Sequence, residues 1–155
     1  MLKTFTNYIY TVYLEDGHPV ATAHGPGCAS VTGYDTLEYA ADPNLWYEMI
    51  YPEDRDKVMQ QAEQLRAGLD AESIEHRIIH KDGSIRWIRN IPSLRYDTQG
   101  NLVAYDGLIT DITERKKAEE ALIAERASLA QRVAERTASL SAANAELSRA
   151  VRVKN

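Results

Sequence analysis

Forty-two consecutive residues, Glu114 to Asn155, contain no glycine, no proline and no aromatic ring. They are mainly Ala, Glu, Arg, Leu, Ser and Lys, the composition of a long helix. At about 1.5 Å per residue such a helix would run about 63 Å. No packed domain of this size can bury it along its length. Every proline, glycine and aromatic residue therefore stands upstream, the last being Pro92, Gly107 and Tyr105. The charge changes at the same place. Residues 1–113 carry 9 basic and 17 acidic side chains, a net −8, whereas residues 114–155 carry 9 basic and 6 acidic, a net +3. We read residues 1–112 as a mixed domain and residues 113–155 as a helical appendage.

The stretch Asp111-Ile112-Thr113-Glu114-Arg115-Lys116-Lys117 joins the two. Asp111 and Thr113 can cap exposed N–H groups, and Glu114 falls in the first turn, where the helix dipole favours an anion. Leu102 to Thr110 alternates like a strand, with Val103, Tyr105 and Ile109 spaced in steps of two. A strand thus runs directly into a helix. Such a joint can carry a conformational change out of a domain.

Upstream, Tyr8 to Tyr13 is aromatic and β-branched, Glu15-Asp16-Gly17 turns, and His18 to His24 resumes as a second strand. Cys28 to Val31 reads as a short helix ending near Gly33. Thr36 to Ile50, interrupted by Asp42-Pro43, reads as two short helices. Pro52-Glu53-Asp54-Arg55 opens another helix, with Val58, Ala62 and Leu65 as its apolar stripe and Gly68 as its end. Ser73 to His80 is a strand, Asp82-Gly83 a hairpin turn, and Ile85 to Tyr96 a longer strand bent or bulged at Pro92. The expected class is α+β: a five-stranded antiparallel sheet with short helices on one face, plus a long C-terminal coiled-coil helix.

The totals narrow the function. No apolar run approaches the roughly 18 residues of a membrane span, and the first residues are too polar for a signal peptide. The single cysteine, Cys28, excludes an internal disulfide and suits a reducing compartment, so a cytoplasmic location without membrane contact is expected. A net charge of −5 argues against a nucleic-acid partner.

Several motifs in order resemble one family. Thr32-Gly33-Tyr34 comes first, then Tyr51-Pro52-Glu53-Asp54-Arg55 and Glu75-His76-Arg77. Lys81-Asp82-Gly83-Ser84-Ile85-Arg86-Trp87 and Asp111-Ile112-Thr113-Glu114-Arg115-Lys116 follow. Over residues 8–120 the chain resembles a bacterial PAS sensor domain. The resemblance implies the PAS fold, a small pocket between sheet and helices, and a sensing or dimerising module attached to a signalling output. It implies neither an enzyme nor a particular ligand. Photoreceptor relatives hold flavin through a cysteine motif that Thr36–Tyr51 lacks. Haem-binding relatives often take an axial histidine from the helical segment, and residues 34–70 contain none. Both cofactors are therefore disfavoured, and no cofactor at all is one expected state.

Candidate residues have sharp and plain readings. Trp46, Tyr47, Met49 and Ile50 on the helical side could face Ile78, Trp87, Arg89, Tyr105 and Ile109 on the sheet. An aromatic pocket with one guanidinium would favour a small aromatic or carboxylate ligand; the plain reading is ordinary core. Asp111 and Thr113 are the expected signal relay, against simple capping. His24 and Cys28 lack a third group to form a catalytic pair. His76 and His80, about 13 Å apart on a strand, cannot share a metal ion. No catalytic or metal site is expected.

The tail has a readable heptad seam at Ile123, Ala130, Thr137, Asn144 and Val151, with Val133, Leu140 and Leu147 on the alternate positions. Leu122 and Leu129 lie off it, so the register shifts near Leu129. Asn144 is the residue type that fixes a two-stranded register. The seam predicts a parallel homodimer; a solvated or folded-back single helix is the alternative. Tails resembling Arg132-Val133-Ala134-Glu135-Arg136-Thr137 commonly join PAS domains to histidine kinase cores. The chain holds no such core and reads as a piece of a longer receptor, with a diguanylate cyclase as an alternative output and a constitutive dimerisation module as an alternative role.

Overall fold

A computed structural model describes residues 6–154; residues 1–5 and Asn155, the outer ends of the two expected units, lie outside the described residues. The chain divides into two compact units that meet between Thr113 and Glu114.

The first unit is built on hairpins. Strands β1 (Asn7–Glu15) and β2 (His18–His24) are joined through Asp16 and Gly17, both at positive φ, the turn that matches the twist of paired strands. β3 (Ile74–Ile79), β4 (Ile85–Tyr96) and β5 (Leu102–Asp111) follow the helical segment. Every pairing is antiparallel, and the order across the sheet is β2-β1-β5-β4-β3. The sheet is thus closed at its centre by its first and last strands, which places the joint to the second unit beside the N-terminal strand. Asp111 N–H donates to Thr6 O at 2.8 Å there.

Between β2 and β3 run α1 (Cys28–Thr32), α2 (Thr36–Ala41), α3 (Leu45–Met49), a 3-10 turn at Pro52–Asp54 and α4 (Arg55–Arg66). Asp35 starts α2 with a reciprocal cap: its side chain accepts from Glu38 N–H at 2.8 Å, and Glu38 accepts from Asp35 N–H at 3.3 Å. Arg77 ties the 3-10 turn to β3. Its backbone N–H and guanidinium donate three bonds of 2.7–3.0 Å to the buried Asp54 carboxylate. The guanidinium stacks over Tyr51 at 4.1 Å and holds Asp54 below the usual carboxylate range.

The helices bury one face of the sheet. Tyr8, Tyr10, Val12 and Leu14 of β1, Ile78 of β3, Ile88 of β4 and Tyr105 and Ile109 of β5 form the core with Val31, Met49 and Leu65. On β4 the burial alternates so that Ile88 and Asn90 face inward while Arg89 and Ile91 face out. Pro92 introduces no bulge: the register is continuous through Pro92↔Gly107 and shifts only between Arg95 and Tyr96. β3 ends opposite Asn90, so from Ile91 onward β4 has one neighbour, a setting in which proline leaves no ladder bond unmade.

The second unit consists of the helix α5 (Thr113–Lys154) beyond its buried first residue, Thr113, and is exposed from Lys117 to Val153.

Candidate functional site

A cavity of about 630 Å³ opens between β1, β2 and Tyr105 of β5 on one side and α2, α3 and α4 on the other. It exists because the helices leave β2 uncovered: His18 to Ala23 are exposed along the whole strand, Val20 at 54%. Six rings wall it, namely Tyr10, His24, Tyr39, Trp46, Tyr47 and Tyr105. His24 stacks on Tyr39 with ring centres 3.6 Å apart, and Trp46 lies 5.9 Å from Tyr10 and 6.3 Å from His24.

The floor depends on a glycine. Tyr10 of β1 lies across its cross-strand partner Gly107, and a Cβ at position 107 would stand 2.3 Å from the ring. The space left by that hydrogen lets the Tyr10 hydroxyl reach β4, where it accepts from Asn90 Nδ2 at 2.9 Å. Asn90 Oδ1, His76 Nε2 and His24 Nδ1 are buried with no hydrogen-bond partner among the described residues. Burial pushes His24 and His76 down to about 4 and keeps both rings neutral near pH 7. Burial also raises Tyr105, an effect offset in part by the neighbouring Arg66 guanidinium.

Two charged groups stand on the wall. Asp42 accepts from Asn44 N–H at 3.0 Å. The side chain of Arg66, a half-buried residue at the end of α4, has no hydrogen bond or ion pair among the described residues.

The expected pocket residues divide into three groups. Trp46, Tyr47 and Tyr105 line the cavity. Met49, Ile50, Ile78 and Ile109 are buried core, none of them on the cavity wall. Trp87 and Arg89 stand on the opposite face of the sheet, because inward positions on β4 have the parity of Ile88 and Asn90. Arg89 therefore cannot supply the guanidinium of this pocket. Arg66 of α4 stands on its wall instead. His24 stands on the cavity wall stacked on Tyr39, and Cys28 is a buried cysteine of α1 whose thiol burial raises. No group of three possible metal ligands is found among the described residues.

At the joint, Asp111 acts as the cap. Its Oδ1 accepts from Thr113 N–H at 2.9 Å and from the Thr113 hydroxyl at 2.6 Å. Thr113 differs from its expected role as a second cap. Its oxygen accepts from Trp87 N–H of β4 at 3.0 Å, and Ile112 N–H donates to Trp87 O at 2.9 Å. The first residue of α5 is thus hydrogen-bonded to a strand 26 residues earlier in the chain. Arg86 lies 3.6 Å from Asp111 Oδ2. On α5, Ile123, Val133, Leu140, Leu147 and Val151 are each more than half exposed, and Ala130, Thr137 and Asn144 are exposed beside them.

The family described as PAS fold matches residues 22–109. A methyl sulfide methyltransferase-associated sensor of Methanosarcina acetivorans is 31% identical over 111 residues, 71% of this chain. The chain spans only 11% of that relative's length. Among solved structures, a sensory box histidine kinase/response regulator of Burkholderia thailandensis is similar with a TM-score of 0.61 at 25% identity, over 81% of this chain and 92% of that one. The N-terminal domain of a diguanylate cyclase with a PAS/PAC sensor from Marinobacter aquaeolei is similar with a TM-score of 0.57 at 22% identity, over 71% and 98% of the two chains. A light-oxygen-voltage domain, from work on a flavin analogue, shares the fold with a TM-score of 0.56 at 22% identity, over 79% and 88%.

Proposed function

Because this chain belongs to the PAS-fold family, we propose that it is the sensory and dimerising module of a larger signalling receptor. A change at the cavity or in the sheet is passed through Asp111 and Thr113 to α5, which pairs with α5 of a second copy. The observation that carries this reading is the Thr113 contact with Trp87 N–H: whatever shifts β4 or β5 acts on the first residue of the helix. Such a relay works by population shift, and it needs two states of the joint that differ in packing or ligand affinity. The exposed apolar residues at seven-residue spacing on α5 support pairing, since a helix exposed all round gains stability from a partner.

The output is a catalytic domain carried on α5, and the chain itself supplies no chemistry. A histidine kinase is the first reading, supported by the likeness to a sensory box kinase. A diguanylate cyclase is the second, supported by the likeness to the sensor of such an enzyme. No helix among the described residues is long and apolar enough to cross a membrane.

The test is Asp111→Ala in a receptor with its output domain attached. Loss of the cap costs about 1 kcal/mol, so the isolated chain keeps its fold and melts a few degrees lower by circular dichroism. Autophosphorylation or cyclic dinucleotide synthesis then becomes insensitive to the stimulus. Regulation unchanged from the parent would remove the joint from the mechanism.

A further inference from the structure

The cavity's walls hold information about what fills them. About 630 Å³ accommodates a bicyclic ring system. The six rings around it offer flat faces, which favour a planar aromatic body over a flexible one. Arg66 contributes a half-buried guanidinium with no anionic partner among the described residues, and an unpaired cation at a partly desolvated wall favours an anion. Asp42 on the same wall repels further negative charge, so a ligand with one carboxylate suits the wall better than a polyanion.

We propose that this cavity binds a planar aromatic monocarboxylate, with the carboxylate on Arg66 and the ring against Trp46 and Tyr105. The proposal deepens the sensory reading above by naming the class of molecule sensed.

The test is isothermal titration of the whole 155-residue chain with 2-naphthoate, its neutral amide 2-naphthamide, and decanoate. We expect 2-naphthoate to bind once per chain and more tightly than either control. Arg66→Gln should weaken the acid by about tenfold or more, the effect of losing a charge-assisted bond, while leaving the amide unchanged. Arg66→Lys should retain part of the affinity. Equal affinity for acid and amide, equal affinity for decanoate, or no binding of any aromatic acid would overturn the proposal. The acid–amide comparison needs no variant, so it decides even if Arg66→Gln fails to fold. Binding is read on the chain itself and signalling on the output domain. A chain that binds the acid yet leaves output unchanged sinks the relay, whereas one that relays but ignores aromatic acids sinks only the ligand class.

Discussion

Tyr10 occupies the space that a side chain at position 107 would need, and its hydroxyl bridges β1 to Asn90 two strands away. Single residues of this kind set the cavity's chemistry as well as its shape. His24 and His76 are held neutral by burial, each at about 4 against an ordinary 6.5. His24 faces Tyr8, Tyr10, Tyr39 and Trp46 without a carboxylate, whereas His76 feels Asp54 and Lys57 in opposite senses. Between about 6.5 and about 4 the unfolded chain binds protons that the folded chain refuses. Stability is therefore full above that window, falls as pH drops through it, and loses nothing further from these rings below it. The loss is on the order of 1–3 kcal/mol per histidine, the smaller figure belonging to the half-buried His24. The depressed carboxylates Asp54, Asp82 and Asp97 lose their stabilising charge only below the usual 3.8, so they do not confound the window. Urea unfolding at pH 7.0, 5.5 and 4.5 reads the effect. His24→Phe should lessen the fall, and an identical fall in variant and parent would mean that His24 is not the titrating group.

Elements inherit these constraints. β4 is the longest strand of the sheet because it serves two partners in overlapping stretches, β3 from Ile85 to Asn90 and β5 from Ile88 to Tyr96, and Pro92 is tolerated where the first has ended. The contact between Arg77 and Asp54 fixes the start of α4 against the edge strand β3, so the helical wall of the cavity is anchored at one end while Arg66 stands at the other. For α5 the governing feature is its seam. Asn144 is a polar side chain at a position where leucine packs better, and in a parallel pair it trades stability for register. Asn144→Leu should stabilise the paired helix by about 1–2 kcal/mol per chain, seen as a higher midpoint in thermal melts, or change the number of chains measured by light scattering. No effect on either would place Asn144 away from any helix interface.

At the scale of the molecule, two units with different rules of stability share one backbone. The first buries its own core. The second exposes apolar residues that no other part of the described chain covers. Native mass spectrometry should therefore give a dimer for the full chain and a monomer for a chain ending at Thr113. A monomeric full chain would overturn pairing through α5, and a dimeric truncated chain would move the interface to the first unit.

The order and kind of most elements are legible in local sequence signals. Asp16-Gly17 and Asp82-Gly83 mark hairpins, Pro52 marks a helix start that the structure forms as a 3-10 turn before α4 begins at Arg55, and the absence of glycine, proline and aromatics after Gly107 marks α5, because each of these signals acts over a few neighbouring residues. The cavity was legible only in part. Trp46, Tyr47 and Tyr105 were found from their type, but Trp87 and Arg89 were assigned to the wrong face of β4. Alternating strands carry no label for which parity is inward when Trp87 and Ile88 are both apolar; the helices packed against the sheet decide it. Tertiary structure alone turned Arg66 into the cavity's guanidinium, since nothing within its helix reveals that β2 opposite is left uncovered. It alone also gave Thr113 the Trp87 N–H as partner. A hydrogen bond between residues so far apart in the chain exists only once β4 and β5 are paired.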